Sequence, residues 1–123
     1  MYDDQDGDCV FCQKVIDGSA TRDPHRPAAW FEPLNPVTSG HMLFIPMWHV
    51  EHRTPDAASG IAVSMRAAAD YARREGVDYN LITSSGPSAT QTVPHMHVHY
   101  VPRCEGDGLP LPWTQQQSDG GVS

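Results

Sequence analysis

Three imidazoles stand at alternate positions in His95-Met96-His97-Val98-His99, in a chain of 123 residues that carries seven histidines. In an extended backbone, side chains two positions apart share a face, with roughly 6–7 Å between neighbours. His95, His97 and His99 then line one side, while Met96, Val98 and Tyr100 cover the other. Two chemistries use such a row. One is metal ligation by a His-x-His pair. The other is nucleophilic catalysis, in which a neutral imidazole attacks phosphorus and a neighbouring imidazole manages the proton. A lone histidine is more often a hydrogen-bonded surface residue, but strict alternation of three fits that role poorly.

The stretch Ser84-Ser-Gly-Pro-Ser-Ala-Thr-Gln-Thr92 brings hydroxyls, an amide and a glycine to the approach of this row. Such groups donate hydrogen bonds to phosphate oxygens and stabilise charge that develops in a transition state. The combination favours phosphate chemistry. A nucleophilic imidazole must be neutral, so activity is expected to fall as the histidines protonate below about pH 6–7. A second constellation is Cys9-Val-Phe-Cys12, whose spacing suits a metal knuckle or a redox pair. A structural zinc needs four ligands, so two more must come from elsewhere. Val10 and Phe11 are expected to pack inward, Cys104 to be incidental, and His25 and His52 to be surface residues.

The elements that must position these groups are legible in outline. Cys12 to Gly18 reads as a short helical turn, and Ala28 to Phe31 as a short strand followed by a turn at Pro33, Asn35 and Pro36. His41 to Pro46 is a buried strand by its continuous apolar run. The clearest helix follows, with Thr54 as cap, Pro55 at its first position, Asp56 near the positive dipole end and Gly76 as its stop. Ile61, Met65, Ala68, Ala69 and Ala72 recur at helical spacing, and the alanines imply close packing on a sheet. Tyr79 to Thr83 and His95 to Val101 read as strands, with Ser84 to Thr92 a loop between them. One long helix among strands argues for an α+β domain. The expected organisation is an acidic N-terminal tail over 1–8, a domain over 9–104, and a C-terminal loop or arm over 105–123.

Composition narrows the function. The net charge of −7, from 15 acids and 8 bases, opposes binding of a nucleic acid polymer. It leaves room for a small phosphate-bearing ligand held by amides and imidazoles. No run approaches the ~20 apolar residues of a membrane span. The first eight residues do not read as a secretory signal, and three cysteines do not read as a disulfide framework. A cytoplasmic location is the expectation.

His95-Met-His-Val-His-Tyr-Val101 resembles the His-φ-His-φ-His-φ-φ signature (φ, apolar) of the histidine triad, or HIT, nucleotide hydrolases and transferases. Cys9-Val-Phe-Cys12 resembles the opening of bacterial members. Asn35 to Pro46 with His49, Gln91-Thr-Val before the triad, and Pro102-Arg103 after it fit as well. The resemblance implies a HIT-like fold with an antiparallel sheet, one long helix and a short N-terminal helix. It implies His97 as the residue that becomes nucleotidylated, His99 at the phosphate or leaving group, and His41 in a histidine network behind the site. Gln91 and Thr92 would contact phosphate oxygens, and Ser84 stands where the family usually has Asn. Pro33 occupies the place of the family's ribose-binding Asp or Asn, which leaves Glu32 as a substitute. Ala-Thr-Gln stands where Ala-Gly-Gln or Gly-Gly-Gln is common. In zinc-bearing relatives the resemblance adds His49 and His95 to the cysteines, giving a structural zinc and no catalytic metal. A homodimer is implied too, with Trp113 on an arm towards the partner or in ordinary packing. Two other classes stay open: a nucleotide-binding module with little turnover, and an enzyme with a catalytic metal on the triad.

Overall fold

Alternation along residues 42–46 decides which side of the sheet each helix covers. A computed structural model describes residues 8–113. In it Leu43 and Ile45, followed by Met47, face a cluster built on Phe11, Cys12 and Val15. Phe44 points the opposite way, into a cluster with Ala67, Ala68 and Ala72. The period of two therefore separates an N-terminal helix from the long helix across one sheet.

The N-terminal helix, α1, runs Val10–Ile16 with Cys9 as N-cap and Gly18 just beyond it at φ 78°. It starts two residues before the expected turn, because the Cys9 sulfur accepts from the Cys12 amide at 3.5 Å. Of its two apolar spacers, Phe11 packs inward and Val10 is exposed. The strands are β1 (Thr21–Arg22), β2 (Ala28–Phe31), β3 (Met42–Pro46), β4 (Asp78–Ile82) and β5 (Val98–Arg103). They form one antiparallel sheet in the order β1-β2-β3-β5-β4, so β4 is an edge. The short β1 is an element that the sequence pattern does not announce.

The long helix, α2, spans Ala57–Glu75 and stops at Gly76, whose φ of 71° is left-handed. Its start differs from the expectation. Thr54 donates to the Glu51 carbonyl and the Asp56 carboxylate in a turn, and Pro55 and Asp56 precede the first helical residue. The buried face is Ala57, Gly60, Ser64, Ala67, Ala68 and Ala72, while Ala69 is exposed and Ile61 and Met65 are half-buried. Small residues on this face bring helix and sheet close. A Cβ on Gly60 would lie 2.9 Å from Val50 Cγ1 and 3.2 Å from Met96 Sδ. The helix thus presses directly on the residue between His95 and His97.

The triad itself departs from the expected strand. Only His99 lies in β5; His95 and His97 precede it. Their backbone is held by the Met96 amide, which donates to the Val50 carbonyl at 2.8 Å, and by the Thr83 hydroxyl, which donates to the His97 carbonyl at 2.8 Å. No helix among the described residues is long and apolar enough to cross a membrane. Most of the expected acidic tail, and the part of the arm beyond Trp113, lie outside the described residues. Trp113 itself is exposed.

Candidate active site and metal centre

Backbone carbonyls set the tautomers of His95 and His97. A carbonyl only accepts, so the ring nitrogen facing it carries the proton and leaves the other nitrogen a lone pair. His95 donates from Nε2 to the Pro46 carbonyl at 3.2 Å. Its free Nδ1 lies 3.5 Å from Cys9 Sγ and 3.4 Å from Cys12 Sγ. His49 donates from Nε2 to Glu51, and its Nδ1 is 3.4 Å from Cys12 Sγ. The four donor atoms all lie within 4.8 Å of one another.

These distances can be compared with a metal's own. Tetrahedral zinc bonds of about 2.3 Å to sulfur and 2.0–2.1 Å to nitrogen leave sulfur and nitrogen about 3.5 Å apart. Cys9, Cys12, His49 and His95 fit that geometry, and the ring N–H bonds to Pro46 and Glu51 are the outer contacts that orient metal-bound imidazoles. Burial pushes His95 down to about 4, so the ring is neutral, the form a metal requires. Among the described residues, His97 and His99 belong to no such donor cluster. The geometry therefore gives no support to a metal on the triad as a whole.

His97 donates from Nδ1 to the His95 carbonyl at 2.8 Å, which leaves its Nε2 lone pair unshared among the described residues. The ring is buried, its edge against Phe11 with centroids 5.1 Å apart, and His99 is also 5.1 Å away. Burial holds His97 below the ordinary imidazole value, against the His95 hydrogen bond that raises it. His99 is set by a longer relay. The Val37 amide can only donate, and it donates to His41 Nδ1 at 3.0 Å. His41 then carries its proton on Nε2, 2.9 Å from His99 Nδ1, so His99 accepts there and presents an Nε2–H. Burial, with His97 and His41 adding to it, pushes His99 down to about 4, and burial lowers His41 as well. The rings are thus neutral further into acid than the bare residue types imply.

The arrangement sets a neutral imidazole nitrogen of His97 beside a neutral N–H donor on His99. Desolvation places protonation of these rings below the pH of about 6–7 that the residue types alone imply. His52, expected at the surface, is half-buried with an Nε2 that has no partner among the described residues, and its charged form would further lower His97.

The remaining sequence candidates divide. Ser84 lines a cavity of about 320 Å³ together with His41 and His99. Thr92 instead lines one of about 390 Å³ with Cys9, Val10 and His49. The Gln91 amide is committed within its own loop, accepting from Gly86 at 2.8 Å and donating to the Val93 and Pro94 carbonyls. It braces the loop and borders a smaller cavity of about 120 Å³ with Glu51 and His52. Glu32, just after β2, is exposed and lines neither cavity.

Two groups gain contacts at the site that the sequence did not assign to them. Phe11 packs between α1 and the triad. Arg103 is held by Asp107 at 2.8 and 3.0 Å, by Asn80 at 2.7 Å and by the Leu109 carbonyl at 2.7 Å. That clamp fixes the chain after β5 against the 320 Å³ cavity.

Residues 23–106 match the family model described as the HIT domain. The chain belongs to the HIT family. It is 32% identical to adenosine 5'-monophosphoramidase of Saccharomyces cerevisiae over 121 residues, 93% of this chain and 75% of that protein. A crystal structure of a zinc-bound histidine triad protein from Mycobacterium smegmatis superposes with a TM-score of 0.66 at 31% identity, covering 85% of this chain and 81% of that one. A HIT family hydrolase from Clostridium thermocellum gives 0.68 at 28% identity, over 86% and 97% of the two chains. The antiparallel sheet and two helices are thus those of a HIT fold.

Proposed function

We propose that this HIT protein hydrolyses or transfers a nucleotidyl group from a nucleoside phosphate ester, anhydride or phosphoramidate, with His97 as the covalent nucleophile. The observation that carries the reading is the fixed tautomer pair, an unshared Nε2 on His97 beside an Nε2–H on His99. The His97 lone pair forms an N–P bond as the bond from phosphorus to the leaving atom breaks. That atom keeps the electron pair and takes a proton from water, while the His99 N–H stabilises its developing charge. Water then attacks phosphorus, the N–P bond breaks, and the extra proton passes to solvent. Splitting the displacement in this way lowers each barrier. His41 acts as a positioning residue that keeps the His99 proton on Nε2. Ser84, on the cavity that holds His99, supplies a hydroxyl to a phosphate oxygen, and Gln91 braces the loop between them.

Cys9, Cys12, His49 and His95 hold a structural zinc in this reading, which would tie α1 to the segment before β5 and supply no chemistry at phosphorus. The edge strand β4, with Val77, Tyr79 and Ile82 exposed, is where a second copy would pair to make a homodimer. The deciding experiment is turnover of adenosine phosphoramidate, with mass spectrometry of rapidly quenched protein. A nucleotidyl adduct on His97 is the expected result. Binding without turnover or adduct would leave a nucleotide-binding module instead.

A further inference from the structure

The four residues of the candidate metal centre are not equally placed. Cys12 and His95 are 0% exposed, whereas Cys9 is 9% exposed and the His49 side chain 16%. Cys9 and His49 also line the cavity of about 390 Å³, and Cys12 and His95 do not. The centre therefore has a sealed inner pair and an outer pair that meets open space. A structural zinc site is ordinarily closed on every side.

The walls of that cavity suit a cation. Asp8 and Glu51 bring two carboxylates to it, and among the described residues no lysine or arginine lines it. A cleft with charge of one sign raises the local concentration of the opposite ion. Glu51 also accepts from His49 Nε2 at 3.0 Å, so one carboxylate touches both the cavity and a ligand ring. The opposite wall is Thr92, Val93 and Pro94, and the Gln91 amide braces it by donating to the Val93 and Pro94 carbonyls. A divalent ion with a shell of about six waters, at about 30 Å³ each, takes about half of the space. Val10 lines the cavity too, yet it is exposed and belongs to no core cluster.

We propose that this cavity is the route by which a divalent metal ion enters and leaves the centre of the folded protein, and that the Glu51 carboxylate receives the ion there. The proposal rests on Cys9, Cys12, His49 and His95 as the metal centre. Exchange is a ligand substitution with no change of oxidation state. Cys9 and His49 capture or release the ion on the cavity side, where a Glu51 oxygen and water replace them, while Cys12 and His95 keep hold from within. First loading sends the thiol protons of Cys9 and Cys12 to solvent. The centre can then be filled after folding, and a competing ion can replace the resident one without unfolding.

The test is exchange of zinc-loaded protein with an excess of an enriched zinc isotope, under a phosphine reductant, followed by mass spectrometry of the desalted protein. Wild type, Val10→Trp, Ile16→Trp and Glu51→Gln are compared, with zinc content measured first. Val10→Trp fills the cavity from an exposed position. It should slow exchange at least fivefold, with zinc content, melting temperature and turnover at wild-type values. Ile16→Trp, also exposed on α1 but away from the cavity, should exchange as wild type does. Glu51→Gln can still accept the His49 N–H, yet it should slow exchange several-fold and weaken its dependence on ionic strength. Unchanged exchange in zinc-loaded Val10→Trp, or equal slowing by Ile16→Trp, would overturn the route and spare the metal centre. Unchanged exchange in Glu51→Gln would remove that carboxylate from the route. Wild type that holds no zinc when purified without chelators would overturn both the route and the centre.

Discussion

His95 and His97 are two residues apart, both buried, and each donates one ring N–H to a backbone carbonyl. Yet His95 donates from Nε2 and turns Nδ1 to two cysteine sulfurs, whereas His97 donates from Nδ1 and keeps Nε2 unshared. The candidate metal centre and the candidate active site differ in which nitrogen the backbone claims. Neighbouring identical side chains meet different surroundings here because the chain is irregular at 95–97 and becomes a strand only at Val98. A regular strand would have pointed all three rings one way.

The comparison breaks most sharply at the nucleophile. His97→Asn is expected to fold and bind nucleotide but to lose turnover by three orders of magnitude or more, with no covalent adduct in quenched reactions. Turnover close to wild type would end the case for His97. On the other side, Cys9→Ser with Cys12→Ser should remove zinc, measured by plasma mass spectrometry. It should lower the melting temperature by several degrees or more, with activity per folded molecule largely retained. Protein purified without chelators that contains no zinc would contradict the structural assignment.

The His99 donor should matter in proportion to the charge it meets. His99→Ala is expected to slow substrates with poor amine leaving groups about 10–100-fold more than those with nitrophenol-like ones. Equal slowing of both would remove His99 from the chemistry. Acid response sharpens the same side of the comparison. His99 and His41 titrate in the folded protein below the ordinary 6.5, so the unfolded chain takes up their protons first. Their contribution to stability is complete above the unfolded value and is lost as pH falls from about 6.5 towards 4. Chemical unfolding between pH 7.5 and 4.5 should show this decline, less steep in His99→Ala.

The smallest expected effect concerns the helix behind both sites. Gly60→Ala gains up to about 1 kcal/mol of helix propensity, but its Cβ would meet Val50 at 2.9 Å and Met96 at 3.2 Å. Overpacking of about 1–3 kcal/mol should win, giving net destabilisation of about 1 kcal/mol in denaturant titration and a modest loss of activity. A more stable, fully active variant would show that Met96 yields freely.

The sequence by itself determined the strands at 28–31 and 42–46, the long helix and its stop at Gly76, because period and turn chemistry act over neighbouring residues. The residue types at the site were legible for the same reason: alternating histidines and a Cys-x-x-Cys pair are local patterns. Their partners were legible only by resemblance, since no spacing rule joins Cys12 to a histidine 83 positions away. Tertiary structure decided the rest. It fixed each tautomer through carbonyls and amides from other segments, engaged Gln91 within its loop, and drew His52 inward. It also turned the buried face of α2 towards Gly60, Ser64 and Ala67, which leaves Ala69 exposed. These outcomes depend on desolvation and on which backbone group stands opposite a ring nitrogen. Neither exists until the sheet and both helices have closed around the histidines.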